Sequence, residues 1–289
     1  MKVFRYMILL SVVLLFASCK SQKKETVEIV PLSLRTTAQT DDLIGQVKRV
    51  VEKKFLRVGE TDSMPLYATH YKTYSKAGWL LEELVVNDAN DTVFITKVQY
   101  DQKGHMSRSE TFGADGKMME HSDFTVDEHG YRIKEVYYKG DSIFRQIDYK
   151  NDVYGNVLEM KVMSTKPTPS TILVKYTYDA SMPGLPIRYD NIGPDGTMFI
   201  YTTFEYNERG QIINRRTFSA SGAEAESSHS QYGEKGEILK ESHQLSLKQK
   251  QGKQVSTYSD FDPKGNWKKQ STESNGKLQF VLERTIEYY

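Results

Sequence analysis

The fold is decided by the stretch MFIYTTFEYNERGQIINRRTFSASG, residues 198–222. It holds two segments in which apolar and polar side chains alternate, and each segment ends in a polar turn that closes on a glycine, Gly210 or Gly222. Alternation with a period of two is typical of a β-strand with one buried face. The stretch therefore predicts an antiparallel β-hairpin followed by a second tight turn.

Copies of this unit occur along most of the chain. Each copy places an aromatic or other strand residue before a polar turn, and the turn ends in Gly78, Gly104, Gly130, Gly155, Gly184, Gly210, Gly236 or Gly265. Successive glycines are 26, 26, 25, 29, 26, 26 and 29 residues apart. A second set of turn signals lies midway between them, so each period holds two strands. A fixed period in this range is typical of a repeat protein.

We therefore predict an all-β protein, an antiparallel meander of about eight repeated β-hairpins that spans residues 43–289. Because strands twist, the long sheet is expected to be twisted and curled, either as an open half-shell or as a partly closed barrel. Residues 42–57 leave two interpretations open. Leu43, Val47 and Val50 fit an amphipathic helix, whereas Gly45 and the β-branched residues favour a first strand.

The N-terminus has the pattern of an export signal. Lys2 and Arg5 precede an apolar run, and small residues precede the single cysteine, Cys19. The run is shorter than the about 20 residues that span a bilayer, which is typical of a cleaved signal peptide. Ala17-Ser18-Cys19 resembles the lipobox of bacterial lipoproteins, and this resemblance implies cleavage after Ser18 and acylation of Cys19. The alternative is an ordinary signal peptide with a bystander cysteine.

These features predict three parts: a lipoprotein signal peptide (1–18), a lipidated flexible tether (19–42) and the repeat domain (43–289). The tether sequence is polar, and the alternative is that residues 27–34 dock as a strand. We expect an exported protein anchored to the bacterial cell envelope by its acyl chains, with the outer membrane favoured and the periplasmic or surface face left open. Cleavage removes Lys2 and Arg5 from 39 basic side chains and leaves 38 acidic ones, a net charge of −1. Such a balance does not favour a nucleic-acid partner.

The sequence predicts no enzyme chemistry of a known motif. It has no His-Glu-x-x-His, no Gly-x-Ser-x-Gly and no phosphate-binding loop, and its six histidines are scattered. We therefore expect no catalytic residue, no metal site and no cofactor. A hydrolase with two facing carboxylates is the third-ranked hypothesis. Three triplets, Asp62-Ser63-Met64, Asp91-Thr92-Val93 and Asp141-Ser142-Ile143, resemble the O-glycosylation acceptor motif of Bacteroidetes, which implies modification of Ser63, Thr92 and Ser142.

The turn Tyr100-Asp-Gln-Lys-Gly104 resembles the YD (RHS-type) repeat of bacterial surface and toxin-associated proteins. Gly155-Asn156 and Gly265-Asn266 match the Gly-Asn ending that is common in that family. The chain is similar to the short YD-repeat lipoproteins of Bacteroidetes-type bacteria. The resemblance implies a repeat β-sheet and no particular activity, and the chain lacks the long array of the large RHS proteins.

The aromatic residues bear on function. Adjacent rings such as Tyr137 and Tyr138 must lie on opposite faces of a sheet, and exposed rings in a ladder can stack on sugars or on a protein. The alternative role of such rings is to stabilise cross-strand pairs. We expect a non-enzymatic binding or scaffold module that recognises a protein or a glycan along its sheet. The second hypothesis is a carrier that shelters an apolar ligand, such as a lipid, in the concave face.

Overall fold

The structure, a computed structural model, describes residues 37–165, 168–247 and 250–289. One helical turn, α1 (Thr37–Thr40), precedes eighteen β-strands. The strands are β1 (Val47–Leu56), β2 (Leu66–Tyr74), β3 (Leu80–Asn87), β4 (Thr92–Tyr100), β5 (Met106–Gly113), β6 (Met118–Val126), β7 (Arg132–Lys139), β8 (Ser142–Asn151), β9 (Val157–Ser164), β10 (Ser170–Tyr178), β11 (Pro186–Ile192), β12 (Met198–Tyr206), β13 (Ile212–Ser219), β14 (Glu224–Tyr232), β15 (Ile238–Leu247), β16 (Lys250–Ser259), β17 (Lys269–Ser274) and β18 (Lys277–Tyr288).

The strands form one closed antiparallel ring. Each strand pairs with the strands before and after it in the sequence, and β1 pairs with both β2 and β18. At the seam, Val50 lies opposite Ile286 and Glu52 lies opposite Arg284. The prediction of an all-β antiparallel meander is confirmed, but the open half-shell or partly closed barrel is wrong, because closure is complete. Closure gives hydrogen-bonding partners to the two strands that would otherwise be unpaired edges.

The segment left open between helix and strand is a strand over Val47–Leu56. Asp42, with a φ of +55°, follows the end of α1, and Gly45, with a φ of +89°, precedes the strand. Glycine takes this left-handed conformation without a Cβ penalty. Residues 37–42, the last part of the predicted tether, pack against the barrel, and Ala38 is buried there.

The turns form two rims. All eight repeat glycines lie in turns that follow even-numbered strands, with φ between +72° and +94°. These turns make the glycine rim, and the connections that follow odd-numbered strands make the far rim. In the turn that closes on Gly104, Asp101 Oδ1 accepts hydrogen bonds from the backbone N–H groups of Lys103 and His105, both at 2.8 Å. The carboxylate thus bonds the turn backbone in the way that favours aspartate at this position.

The registers divide the strand side chains into two faces, because directly opposed antiparallel residues share a face. The face that carries Val50, Val85 and Val174 holds most of the buried strand residues. Tyr100 of β4 and Tyr232 of β14 also belong to this face. Tyr100 lies close to Thr37, and the charge of Asp42 acts on Tyr232. Since these strands lie on different sides of the ring, their side chains can converge only inside it. This face is therefore the inner face.

The inner face encloses the interior of the barrel. Each strand makes most of its close backbone contacts with its two hydrogen-bonded neighbours. At about 4.8 Å between strands, eighteen strands give a wall on the order of 85 Å around. Barrels of 16–18 strands leave an interior that water can fill. We call the space that the inner face encloses the lumen.

Candidate functional site

The repeat tyrosines fasten neighbouring strands at the inner edge of the glycine rim. The Tyr100 hydroxyl donates a hydrogen bond to the carbonyl of Leu80, the first residue of the preceding strand, at 2.6 Å. The same contact joins Tyr178 to Val157 at 2.8 Å, Tyr206 to Pro186 at 2.7 Å and Tyr232 to Ile212 at 3.0 Å. In β8, where the repeat has Asn151, the side-chain amide donates instead to Arg132, again the first residue of the preceding strand. The aromatic residue of the repeat therefore has a structural role.

Burial keeps these phenols protonated. Desolvation raises the pKa of Tyr100 to about 12 and that of Tyr232 to about 12. For Tyr232, the charge of Asp42 acts in the same direction. Each hydroxyl therefore remains a hydrogen-bond donor over the physiological pH range.

Residues 37–46, which we call the strap, cross the mouth of the lumen at the glycine rim. The Ala38 N–H donates to the carbonyl of Gly78 at 3.0 Å. Asp41 Oδ2 accepts a hydrogen bond from the Tyr74 hydroxyl at 2.6 Å and from Lys72 Nζ at 3.1 Å. One buried cluster joins the strap to the barrel; it consists of Ala38 and Leu43 of the strap with Val47, Val50 and Tyr74. The strap therefore narrows one mouth of the lumen.

Asn266 holds the strap from the other side. Its Oδ1 accepts from the Ile44 N–H at 2.7 Å, and its Nδ2 donates to the Ile44 carbonyl at 2.8 Å. The amide is almost fully buried, with 2% of its surface exposed. The side-chain amide of Asn266 thus bonds both backbone groups of Ile44, as a residue of a neighbouring strand would, and links the strap to the β16–β17 connection.

The second Gly-Asn pair does not make such a contact. Asn156 Nδ2 donates to Asp152 within its own turn at 2.8 Å, and Asn156 Oδ1 is buried without a hydrogen-bond partner among the described residues. The two positions have the same sequence motif and different partners. The motif alone therefore does not identify the strap site.

A ladder of rings lines one side of the lumen. Tyr176 of β10, Tyr189 of β11 and Phe204 of β12 follow one another with ring centroids 5.7 Å apart in each step. All three side chains are half-buried. Each ring is tilted against the next, by 53° and by 45°. We call these three residues (Tyr176, Tyr189, Phe204) the aromatic ladder.

Polar and charged groups continue the same wall. One row of opposed inner residues runs from Tyr189 through Thr202 and Thr217 to Glu226. The next row runs from Phe204 through Arg215 and Ser228 to His243. The wall thus changes within a few strands from aromatic to hydroxylated to charged.

The charged part of the wall is coupled by hydrogen bonds. Glu241 Oε1 lies 3.1 Å from His243 Nε2. This contact raises the pKa of His243 and lowers the pKa of Glu241, each stabilised in its charged form. Arg215 lies 4.0 Å from Glu226 in the same part of the lumen. Glu241 and His243 are two residues apart on one strand, so the sequence indicates that they share a face. Their role could not be inferred from this spacing alone.

The outer face is charged along the height of the strands. Opposite charges are directly opposed across strand pairs: Lys97 and Glu110, Arg108 and Asp123, Lys134 and Asp148, Lys175 and Asp190, Lys53 and Glu283. Arg108 also makes ion pairs of 2.8 Å with Glu110 and with Asp123. Of the adjacent tyrosines, Tyr137 belongs to the inner face and Tyr138 to the outer face, where its ring stacks on His121.

The residues proposed for modification fall into two groups. Cys19 lies outside the described residues. Ser63, Thr92 and Ser142 all lie on the far rim, in the β1–β2 connection and at the starts of β4 and β8. Ser63 and Ser142 are exposed and Thr92 is half-buried. The structure thus brings the three triplets to one end of the barrel, although 79 positions separate the first from the last.

Within the described parts of the chain, no cluster of three or more His, Cys, Asp or Glu side chains is placed to hold a metal ion. The described ranges also contain no helix of the length and apolar character that a membrane crossing requires.

No protein-family model and no curated protein sequence matches this chain. Among solved structures, the barrel is similar to a porin-like protein from Bacteroides uniformis, with 13% identity and a TM-score of 0.44 over 84% of this chain and 99% of that one. A porin-like protein from Bacteroides vulgatus has 10% identity and a TM-score of 0.36 over 82% of this chain and 97% of that one. The Tc holotoxin pore of Photorhabdus luminescens has 12% identity and a TM-score of 0.37; the match covers 81% of this chain and 13% of that one.

Proposed function

We propose that the protein is a lipid-anchored, non-enzymatic binding module of the bacterial cell envelope, and that the lumen is its recognition surface for a glycan or a protein. The observation that carries this proposal is the composition of the inner wall. Ring surface, hydroxyl groups and charged groups lie side by side there. Sites for small polar ligands combine apolar and aromatic surface with a few oriented polar groups.

The position of the strap supports an orientation. The described chain starts at Thr37 on the glycine rim, and Ala38 bonds to Gly78 there. With Cys19 acylated, the lipid would hold the glycine rim toward the membrane. The far rim, which carries Ser63, Thr92 and Ser142, would then face away from it.

The charges on the outer face support the proposal that the outer surface of the barrel is exposed to water and not to lipid. Barrels that cross membranes carry an outward apolar band, in which a Lys or Arg at mid-depth costs about 2–4 kcal/mol. Here Lys97, Lys134 and Lys175 lie in the middle of their strands and face opposed acidic residues. We therefore infer that the acyl chains, and not the strands, hold the protein to the membrane, as in the YD-repeat lipoproteins it resembles.

Site-directed photocrosslinking in the native envelope tests the proposal. A diazirine amino acid in place of Ser228 samples the lumen, whereas the same amino acid in place of Ser227 samples the outer face one residue away. We expect ligand adducts at position 228 and not at position 227, detected by intact-mass analysis. A Cys19→Ala variant is expected to lose membrane attachment and to keep the fold. Equal labelling at both positions, or none at either, would contradict the lumen as the recognition surface.

The carrier hypothesis has one observation in its favour. On the inner face, Ile147, Val162 and Ile172 lie side by side on β8, β9 and β10, next to Val174. A lipid could cover this apolar strip. Native mass spectrometry of the purified protein separates the two candidates, since a carrier is expected to retain lipid through purification.

A further inference from the structure

We propose that Val153 and Tyr154, at the tip of the β8–β9 turn, insert into the interface of the lipid bilayer to which the protein is anchored. This contact adds to the acyl chains on Cys19 and holds the glycine rim against the membrane. The inference rests on the proposed function, because it takes the lipid anchor as given. It assigns the membrane surface as the partner of one turn of the glycine rim.

The two side chains are unusually exposed. Val153 exposes 82% of its surface and Tyr154 exposes 72%, the highest values among the large apolar side chains of the described residues. They are adjacent, and they lie between the end of β8 and the start of β9, so they project from the rim together. Single exposed apolar residues are common on protein surfaces. The inference therefore depends on how this turn differs from its neighbours.

The equivalent turns of the glycine rim carry no such apolar pair. The two residues directly before the glycine are Lys76-Ala77, Gln102-Lys103, Glu128-His129, Glu208-Arg209, Glu234-Lys235 and Pro263-Lys264. The β10–β11 turn, which closes on Gly184, is longer and has no counterpart of the pair. Six turns of the same kind thus have a charged or imidazole side chain where the β8–β9 turn has only Val and Tyr.

The backbone of the turn does not require apolar side chains. Asp152 Oδ1 accepts hydrogen bonds from the backbone N–H groups of Tyr154 and Asn156, both at 2.9 Å. Asp101 bonds Lys103 and His105 in the same way in the β4–β5 turn. The two turns therefore share their hydrogen bonds and differ in the side chains that they present.

The tip is held firmly in place. The bonds to Asp152 fix the turn from within, and the ring of Tyr131, from the neighbouring turn, lies where a Cβ on Gly155 would be. A tip that is already ordered loses little conformational freedom when it binds a surface.

The tip lies on the rim to which the lipid leads. Residues 19–36, eighteen in number, separate Cys19 from this rim, where Ala38 bonds to Gly78. For the predicted flexible tether, this length corresponds to a root-mean-square reach of about 21–25 Å. The β8–β9 turn is six strands from the β2–β3 turn, on the order of 30 Å along the wall. A membrane contact there would limit tilting of the barrel about its tether.

The chemistry of the pair fits a bilayer interface. Tyrosine is enriched at membrane–water interfaces, because its ring is apolar and its hydroxyl is polar. Valine can bury its side chain beside the upper part of the acyl chains. The charged tips of the other turns can remain among head groups and water. Since the acyl chains bring a bilayer to this rim, a lipid surface is favoured over a protein as the partner.

The test uses the full acylated chain with one labelled cysteine. Cys19 is the only cysteine, and its sulfur is consumed by the lipid, so an added cysteine is the only free thiol. Val153→Cys carries a fluorescent dye at the tip. Gln102→Cys carries it at the equivalent position of the β4–β5 turn, and Val93→Cys carries it near the far rim, where Val93 is 47% exposed. The vesicles contain phosphatidylethanolamine, phosphatidylglycerol and a lipid with a nitroxide quencher at the top of its acyl chain.

We expect the nitroxide to remove most of the fluorescence at position 153 and little of it at positions 102 and 93. Adding Tyr154→Asp to the Val153→Cys protein should reduce the quenching to the level at position 102, because a carboxylate is costly to take out of water. Tyr154→Trp should preserve the quenching, since tryptophan is also enriched at the interface. A urea midpoint for each variant separates loss of contact from loss of fold.

The inference is overturned if position 153 is quenched no more than position 102 or 93. It is also overturned if Tyr154→Asp leaves the quenching unchanged, because the dye alone would then account for the insertion. Crosslinking of position 153 to an envelope protein, without quenching by the lipid, would assign the tip to a protein partner and contradict the inference.

Flotation of the same vesicles reports the lipid anchor separately. If the parent floats with the vesicles and Cys19→Ala does not, the anchor stands, and a lack of quenching removes only this inference. If the acylated parent does not float, the anchoring in the proposed function is wrong, and the inference falls with it.

Discussion

Asn266 holds the backbone of Ile44 by two hydrogen bonds, of 2.7 Å and 2.8 Å, although 222 residues separate the two in the sequence. One side chain thus ties the strap to the last third of the barrel. The contact joins the strap, which precedes β1, to the turn that closes on Gly265. It holds the strap together with the bonds of Ala38 to Gly78 and of Asp41 to Tyr74 and Lys72.

Replacing Asn266 by alanine is expected to loosen the strap. The substitution removes both bonds to Ile44 and a third, of 2.7 Å, to the Tyr288 hydroxyl. We expect a loss of about 1–3 kcal/mol in the free energy of unfolding. Urea denaturation measures the loss, and hydrogen exchange should show faster exchange at residues 43–47. Asn156→Ala is the matched control, with a smaller cost because Asn156 makes only a bond within its own turn. An equal cost for both variants would show that the strap contact adds nothing.

Removing one repeat hydroxyl is expected to weaken the wall. In Tyr178→Phe the ring is kept, but the Val157 carbonyl loses the hydroxyl that bonds it at 2.8 Å. A carbonyl left without this partner costs about 1–3 kcal/mol. Tyr201→Phe on the outer face is the control, and a surface change of this kind stays within about 0.5 kcal/mol. The urea midpoints of the two variants are compared. If Tyr178→Phe is as stable as Tyr201→Phe, the hydroxyl of the repeat tyrosine does not stabilise the wall.

The Glu241–His243 pair is expected to make stability depend on pH. The contact raises the pKa of His243 above 6.5, so its contribution is present below that value and is lost as the pH rises through the folded-state pKa. It lowers the pKa of Glu241 below 4.5, so that contribution is present above 4.5 and is lost as the pH falls through the folded-state pKa.

The pair therefore stabilises the barrel most between about pH 4.5 and 6.5. We expect His243→Gln to lower the urea midpoint at pH 5.5 and to change it much less at pH 8.5. His229→Gln, which replaces an outer-face histidine bonded to Asn214, is the control. An equal effect of His243→Gln at the two pH values would contradict the assignment.

Gly155 is expected to tolerate alanine less than Gly116 does. Its φ is +84°, and a Cβ there would lie 2.6 Å from Cε1 of the Tyr131 ring. Gly116 has a φ of +72° and open space where a Cβ would be. Both substitutions should cost about 1–2 kcal/mol for the left-handed backbone. Gly155→Ala should cost about 1–3 kcal/mol more for the displaced ring.

Chemical denaturation of both variants measures the difference. In a Tyr131→Ala background the ring is gone, and the cost of Gly155→Ala should fall to that of Gly116→Ala. If the extra cost persists without the ring, packing is not its cause.

The three acceptor triplets on the far rim are expected to carry glycans in the native host. Intact-mass analysis should show hexose-sized increments that disappear in the combined Ser63→Ala, Thr92→Ala and Ser142→Ala variant. A native mass equal to that of the lipidated polypeptide alone would exclude the modification.

Much of the fold could be predicted because its signals are local. Alternation places Ile172, Val174 and Tyr176 on one face, and the registers put all three on the inner face. The positions of the turns follow from glycine and its polar neighbours within five residues. The assignment of β1 followed from β-branched residues in the same way.

Closure could not be predicted, because it depends on the match between β1 and β18 at opposite ends of the chain. Each strand alone is compatible with an edge or with a seam. The strap could not be predicted either, because α1 has four residues and its position depends on distant partners, Tyr74 and Asn266. A ladder of rings was expected on the solvent side of the sheet. Tyr176, Tyr189 and Phe204 lie instead on the inner face, and only closure of the barrel defines that face.

The pairing of β1 with β18 has a consequence for the folding of the chain during its synthesis. During synthesis β1 is made first. The backbone N–H and C=O groups along one of its edges have no strand partner until β18 has been made. A chain that stops short of β18 would keep two unpaired borders, and each could recruit another copy. In the folded protein the Tyr289 N–H donates a hydrogen bond to the Gln46 carbonyl at 3.1 Å. The two ends of the domain are therefore adjacent, and the ring of strands is continuous across them.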